Sequence, residues 1–374
     1  MSQQLSLRRA GTALVASALT ATLVVGAAPA QAVSSKSPAG HGATWLAGQL
    51  NKEGLIHNVN FGGFNDYGLT IDTTLALKTI GGHKKDVARA RKALSQHVES
   101  YTTGVDFGST AEYAGADAKL LVLAQRTGGN ARHFGGTNLV SRLNHRVIVT
   151  GPSRGRIEDV VDTDPTTGGP DSANVVGQIF AARGLLKVDG ANAPAVLKFL
   201  LAQQCDKGFF RLSFRHKKDA PQQSCTKGAL ADPDVTALAV VELASVSRGH
   251  PGLKRALDDA TSWLKRHQNT NGSFGGSGPT AAANANSTGL AGWAFLTAGR
   301  CGLAVDAAGW LAKLQVRGDV SGTPLAGERG AVAYDRAALK AAKQDGIDKT
   351  SRDQWRRTSA QAAPALLALS RCRS

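Results

Sequence analysis

The chain has 374 residues, with 44 Lys and Arg against 28 Asp and Glu and a formal net charge of +16. Such a balance attracts polyanions, but the basic residues are scattered and aromatics make up only 5% of the chain. That excludes a stacking platform for single strands, so no specific nucleic-acid partner is expected and the charge reads as a solvated cationic surface.

In chain order, Arg8 and Arg9 precede an uncharged apolar run over residues 10–28 and the small-x-small exit Ala30-Gln31-Ala32. This is the order of a Sec-type secretory signal peptide with cleavage near Ala32, and it predicts a secreted protein. A membrane anchor fits less well, because the run is rich in Ala, Thr and Ser and has no basic stop-transfer flank. No later segment is long and apolar enough to span a bilayer. Residues 33–42 read as a Ser/Pro/Gly linker and residues 43–374 as one domain.

From Ala43 onward one pattern recurs at roughly 45–60 residues, the period of helical repeats. A helix ending in Gln or a basic residue runs into a Gly/Phe turn and then a helix of small residues. Trp263 to Gln268 leads to Gly272-Ser273-Phe274 and then Ser287 to Ala294; Gln203-Gln204 leads to Gly208-Phe209 and then Asp234 to Ala239; Trp45 to Gln49 leads to Phe61 to Phe64 and then Asp72 to Leu77. Six units follow, over 43–83, 86–130, 137–189, 194–248, 254–302 and 306 to the end, with polar insertions at 152–170 and 318–335. The first helix of a unit is amphipathic, as in residues 256–264, where apolar residues recur at three- and four-residue steps. The second is apolar all round, as in 234–243 and 290–298, and must be buried on every side. Strand alternation is scarce. The pattern predicts an all-α fold of tandem hairpins in two concentric layers, the second helices inside.

The four cysteines, Cys205, Cys225, Cys301 and Cys372, lie in the second half of the chain. An even count in an exported chain predicts two disulfides. Cys205 and Cys225 flank one inter-helix loop and are paired here, which leaves Cys301 for Cys372. CxxC, HxH and HExxH spacings are absent, so no metal and no cofactor are expected.

The turns Gln203-x4-Gly208-Phe209 and Gln268-x3-Gly272-Ser273-Phe274 resemble the Q-x-x-x-G-x-[FW] signature of the α/α toroid shared by protein prenyltransferase β-subunits, squalene and terpene cyclases, and cobalamin-binding transport proteins. The resemblance implies an (α/α)6 toroid and says little about activity, since one fold carries many functions.

Within that likeness, Asp232-Pro233-Asp234-Val235-Thr236-Ala237 resembles the D-x-D-D-T-A motif of class II cyclases. The resemblance implies Asp234 as general acid and Asp232 as its neighbour, with Val235 standing where the third acid belongs. A carboxyl tuned for proton donation needs such neighbours. The competing structural reading is helix capping: Asp72, Asp117, Asn174, Asp234 and Ser287 are all placed at inner-helix starts. These caps over an apolar wall would form a funnel at one end of the toroid, with Asp72, Asp117, Asn174 and Trp293 as candidate ligand-binding residues and Phe209 and Phe274 as candidate wall residues. Glu158, Asp159, Asp162 and Asp164 offer alternating carboxylates, but lack the Gly and closing Glu of a calcium loop and read as a solvated insertion. The sequence favours a binding protein for an apolar small molecule or a cell-wall component. The alternative is an enzyme on isoprenoid or glycan substrates, with Asp234 as general acid and Asp72 or Asp117 assisting.

Overall fold

Six pairs of helices, each an outer one followed by an inner one, form the frame of the described chain. The computed structural model describes residues 34–164, 166 and 168–372; the segment 1–32, read from sequence as a signal peptide, lies outside them. The helices are α1 Pro38–Ala47, α2 Tyr67–Ile80, α3 Lys84–Gln96, α4 Val98–Thr102, α5 Ala114–Thr127, α6 Leu139–His145, α7 Val175–Leu186, α8 Ala193–Leu201, α9 Pro233–Leu243, α10 Pro251–His267, α11 Ala285–Thr297, α12 Cys301–Ala312, α13 Arg336–Asp345, α14 Arg352–Ala362 and α15 Ala368–Arg371. Among the described residues the only sheet is a two-residue antiparallel pair, His57–Asn58 with Phe64–Asn65, in which His57 faces Asn65. α1 begins inside the stretch read from sequence as linker: Ser37 caps it and Pro38 occupies its first turn, where a missing N–H costs nothing.

The inner helices close a ring. α2 packs on α5, α5 on α7, α7 on α9, α9 on α11, α11 on α14, and α14 returns to α2. Outside them, α1 packs on α2 and α14, α3 on α2 and α5, α6 on α5 and α7, α8 on α7, α10 on α9 and α11, and α12 on α11. Burial follows the layers. α10 buries Leu253, Ala256, Leu257, Ala260, Trp263 and Leu264 along one face, whereas α11 buries residues around its whole circumference. The chain is an all-α toroid of six hairpins.

What joins one hairpin to the next is a staple in the repeated turn. Gln204 Nε2 donates to Gly208 O (2.9 Å) within its own turn and to Ala256 O (2.8 Å) on the next outer helix, α10. Gln268 does the same for Gly272 O (3.1 Å) and Leu303 O (3.1 Å) on α12. Gln315 reaches Gly330 O (3.1 Å) and Pro38 O (2.9 Å) on α1, so the last staple joins the end of the ring to its beginning. In the third unit Gln178, on the inner helix α7, bridges Gly155 O and Val196 O on α8. The N–H two residues beyond each glycine is also held from the inner layer: Phe210 by Thr236, Phe274 by Thr288, Val332 by Ser359, Ile157 by Gln178, and Ile56, after Gly54, by Thr70. This corrects the motif register read from sequence. Gln204, not Gln203, matches Gln268, and Phe210 rather than Phe209 matches Phe274; Gln203 instead accepts from the Arg211 guanidinium.

The disulfides Cys205–Cys225 and Cys301–Cys372 form as paired from sequence. No described helix is long and apolar enough to cross a membrane.

The turn glycine has no substitute at the closing staple. Gly330 has φ +103°, and a Cβ there would stand 2.1 Å from His41 O on α1. Gly330→Ala is expected to cost about 2 kcal/mol or more in urea unfolding. Gly309→Ala, on α12 where a Cβ meets open space, is expected to gain up to about 1 kcal/mol.

Candidate functional site

Outer and inner helices alternate in direction, so the loops leading into the inner helices all gather at one end of the ring. There the axis opens into a cavity of about 550 Å3. The inner helices line it in three levels.

At the mouth, Asp72 and Lys119 form an ion pair at 2.7 Å. Burial works against the Lys119 charge, but Asp72, Tyr101 and Asp66 together outweigh it and raise the ammonium pKa. Asp232 is the N-cap of α9: its Oδ1 accepts from Val235 N (3.0 Å) and its Oδ2 from Ser277 Oγ (2.7 Å). Asp234, two residues into the helix, has no such partner for its buried Oδ1. Burial pushes its pKa up to about 6, and Asp232 adds to the push; the nearby Ser287 hydroxyl, which stops short of hydrogen-bond geometry, acts the other way. The middle level is apolar, built from Leu75, Val176, Phe180, Leu238, Leu290 and Trp293. At the floor stands Glu242, 3% exposed, its Oε1 taking a hydrogen bond from Arg126 Nη1 (2.9 Å) and its Oε2 lying 3.6 Å from Arg183 Nε. Arg126 also donates to Thr79 Oγ1 (2.8 Å) and lies over the Trp293 ring at 5.9 Å; Arg183 donates to Gln125 Oε1 (2.6 Å).

The structure brings Asp72, Asp232, Asp234 and Trp293 to this one cavity, and places the other candidates elsewhere. Asp117 is 0% exposed behind the wall and binds Arg142 Nε at 2.8 Å; burial raises its pKa to about 7 against the pull of that guanidinium. Asn174 caps α7 through Gly177 N (3.2 Å). Phe209 and Phe274 are buried in the core beneath their turns. Of the five residues placed at helix starts, only Asn174 is a cap. The caps of α2, α9 and α11 are Asp66, Asp232 and Asn284, and the first N–H of α5, on Ala114, is held by Asp159 from another loop. Asp72, Asp234 and Ser287 lie inside their helices, and of the three Asp72 and Asp234 line the cavity.

Asp159 also accepts from Ser172 N, and Asp162 accepts from Ser109 Oγ and Thr110 N, so these acids hold loops together. No described group of three or more His, Cys, Asp or Glu is arranged to hold a metal ion. Lys119, Glu242, Arg126 and Arg183 escape a reading by motif. One signal does mark Glu242, the only charge after the first turn of the otherwise apolar 234–243 segment.

No protein-family model matches the chain, and no curated protein matches it. Solved structures do. The type II terpene cyclase MstE from Scytonema aligns with a TM-score of 0.60 at 14% identity, over 88% of this chain and 96% of its own. An unsaturated glucuronyl hydrolase from a Bacillus species aligns at 0.58 and 11% identity, over 90% and 97%. An α-1,6-mannanase from a Salegentibacter species aligns at 0.57 and 12%, over 89% and 99%. At these identities the likeness is one of fold, the α/α toroid.

The Asp234 pKa fixes the sign of a pH effect. Its folded value, about 6, exceeds its ordinary 3.8, so the folded state holds the proton more tightly and ionisation opposes folding. Asp234→Asn should match the wild type below pH 4 and become progressively more stable than it as pH rises from 4 to 6. The gain should level off above pH 7 at about 1–3 kcal/mol. Urea midpoints of both proteins across this range check it; a difference that shrinks with pH refutes it.

Proposed function

We propose that this is a secreted protein of the prenyltransferase/squalene-cyclase repeat type that binds an apolar small molecule in the axial cavity. The observation that carries the reading is an apolar sleeve on the ring axis with the acid Asp234 among the residues that line its mouth. Burying an apolar body there removes water from the sleeve, and Asp234 orients whichever polar group enters last. A glycan fits less well, because sugar sites present polar groups and open aromatic faces, and the middle of this cavity is aliphatic apart from Phe180 and Trp293. The two disulfides favour an oxidising compartment, as does the signal-peptide pattern. The net charge of +16 favours retention near polyanionic surfaces.

One observation supports a second reading, an enzyme that starts an isoprenoid cyclisation by protonation. Asp234 is an acid with a raised pKa, next to Asp232, at the mouth of an apolar cavity in a toroid like that of a type II terpene cyclase. Against it, Asp232 is committed to its cap and Ser277, and two aromatic rings offer little stabilisation to a travelling cation.

Two measurements separate these readings. The wild type should enhance the fluorescence of the neutral apolar probe N-phenyl-1-naphthylamine. Leu238→Trp, which fills the sleeve, should weaken that binding by about tenfold or more while leaving the helical circular dichroism unchanged. Absence of probe binding in the wild type would overturn the proposal. Turnover of a linear polyprenyl substrate that disappears in Asp234→Asn, with probe binding kept, would select the enzyme instead.

A further inference from the structure

The ring has two ends of different kind. Segments that enter the inner helices gather at the mouth, and segments that leave them gather at the far end. Every exposed large apolar side chain among the described residues, Phe107 and Leu230 above all, lies in a segment of the first kind. Each of the six segments of the second kind carries an exposed cation, either within it or in the helical turn that follows. These are Lys84 at the start of α3, Arg132 before α6, Lys187 before α8, Arg248 before α10, Arg300 before α12 and Arg371 after α14. The Cys301–Cys372 disulfide ties the chain end to the start of α12, which keeps Arg371 at the same end as Arg300.

Acids do not answer this charge. Asp189 is the only exposed Asp or Glu in the six segments, and Asp86, in the first turn of α3, is taken by Arg89 at 3.0 Å. None of the six cations is in an ion pair among the described residues. Like charges set around one end of a ring add their fields, and this field points into solvent.

The shape of the array selects the partner. The cations encircle the end of the ring rather than line a groove. A linear polyanion crossing that end meets only the cations along its path, whereas a flat anionic surface meets all six at once. No large apolar side chain is exposed there, so nothing inserts among acyl chains and attachment is electrostatic.

We infer that the far end of the ring docks on a bilayer rich in anionic lipid headgroups, with the mouth of the axial cavity directed away from that surface. Each Lys or Arg held near such a surface strengthens binding about fivefold, and salt screens the attraction. The inference does not depend on what the cavity binds.

The test is co-sedimentation of the whole protein with phosphatidylcholine vesicles, with and without an equal part of phosphatidylglycerol, at low and at high salt. Binding is expected only to the anionic vesicles and should be lost at high salt. The triple variant Lys187→Gln, Arg248→Gln, Arg300→Gln should weaken it on the order of a hundredfold. The control Lys207→Gln, Lys217→Gln, Lys227→Gln removes the same charge from exposed positions in the segment that enters α9, at the mouth end. It should weaken binding by less than about fivefold. Failure of the wild type to bind anionic vesicles overturns the inference, as does equal loss in the two triple variants. Binding that persists at high salt assigns the contact to the apolar side chains at the mouth and overturns it too. Soluble long-chain polyphosphate bound through Lys187, Arg248 and Arg300, with vesicles left unbound, would hand this end of the ring to a linear polymer instead. Helical circular dichroism checks that both variants fold, and the wild-type dependence on headgroup and salt decides without them.

Discussion

The fold depends on a side-chain amide that holds two carbonyls at once. Each stapling Gln ties the carbonyl of a turn glycine to the carbonyl of an adjacent outer helix, and only a residue with two N–H groups on one nitrogen can do this. The glycine is needed because its backbone runs at positive φ against that helix, leaving no space for a Cβ. A repeat array normally ends in two exposed faces. Here Gln315 holds Pro38, and the α14–α2 contact joins the last inner helix to the first. Both terminal hairpins are thereby covered by each other.

Closure also creates the site. Six helices around an axis cannot fill the centre at one end with small residues alone, and the space left becomes the cavity. Its lining follows from helix geometry: residues three or four apart share a face, so the inner helices contribute polar, apolar and polar levels in register. Asp72 and Leu75 on α2, Phe180 and Arg183 on α7, and Asp234, Leu238 and Glu242 on α9 repeat this order from mouth to floor. The polar floor is tolerated because its groups bond one another across four helices; the apolar middle offers them no competing partner.

The two acids whose pKa is raised furthest, Asp117 and Asp234, have different surroundings. Asp117 has the higher pKa and is bound to Arg142 inside the wall, whereas Asp234 lines the cavity. A raised pKa alone would rank Asp117 first as the functional group, and its position outside the cavity rules against that.

Periodicity in the sequence determined the all-α class, the tandem hairpins and the assignment of layers, because one-sided and all-round apolar helices cannot exchange places; the closed ring fixed their number at six. Cysteine placement determined the disulfide pairing, because Cys205 and Cys225 bracket a single loop. Helix starts were harder to place. Asp72, Asp234 and Ser287 look like caps because Asp and Ser favour that position, yet Asp66, Asp232 and Asn284 a few residues earlier take it, and a local pattern does not choose between neighbours of the same type. The tertiary structure alone decided which acids share a cavity, that Asp117 and Asn174 stand outside it, and that Lys119 and Glu242 belong to it, with Arg126 and Arg183 holding Glu242. Those meetings join residues from different helices across a closed ring, and a one-dimensional pattern carries no distance between them.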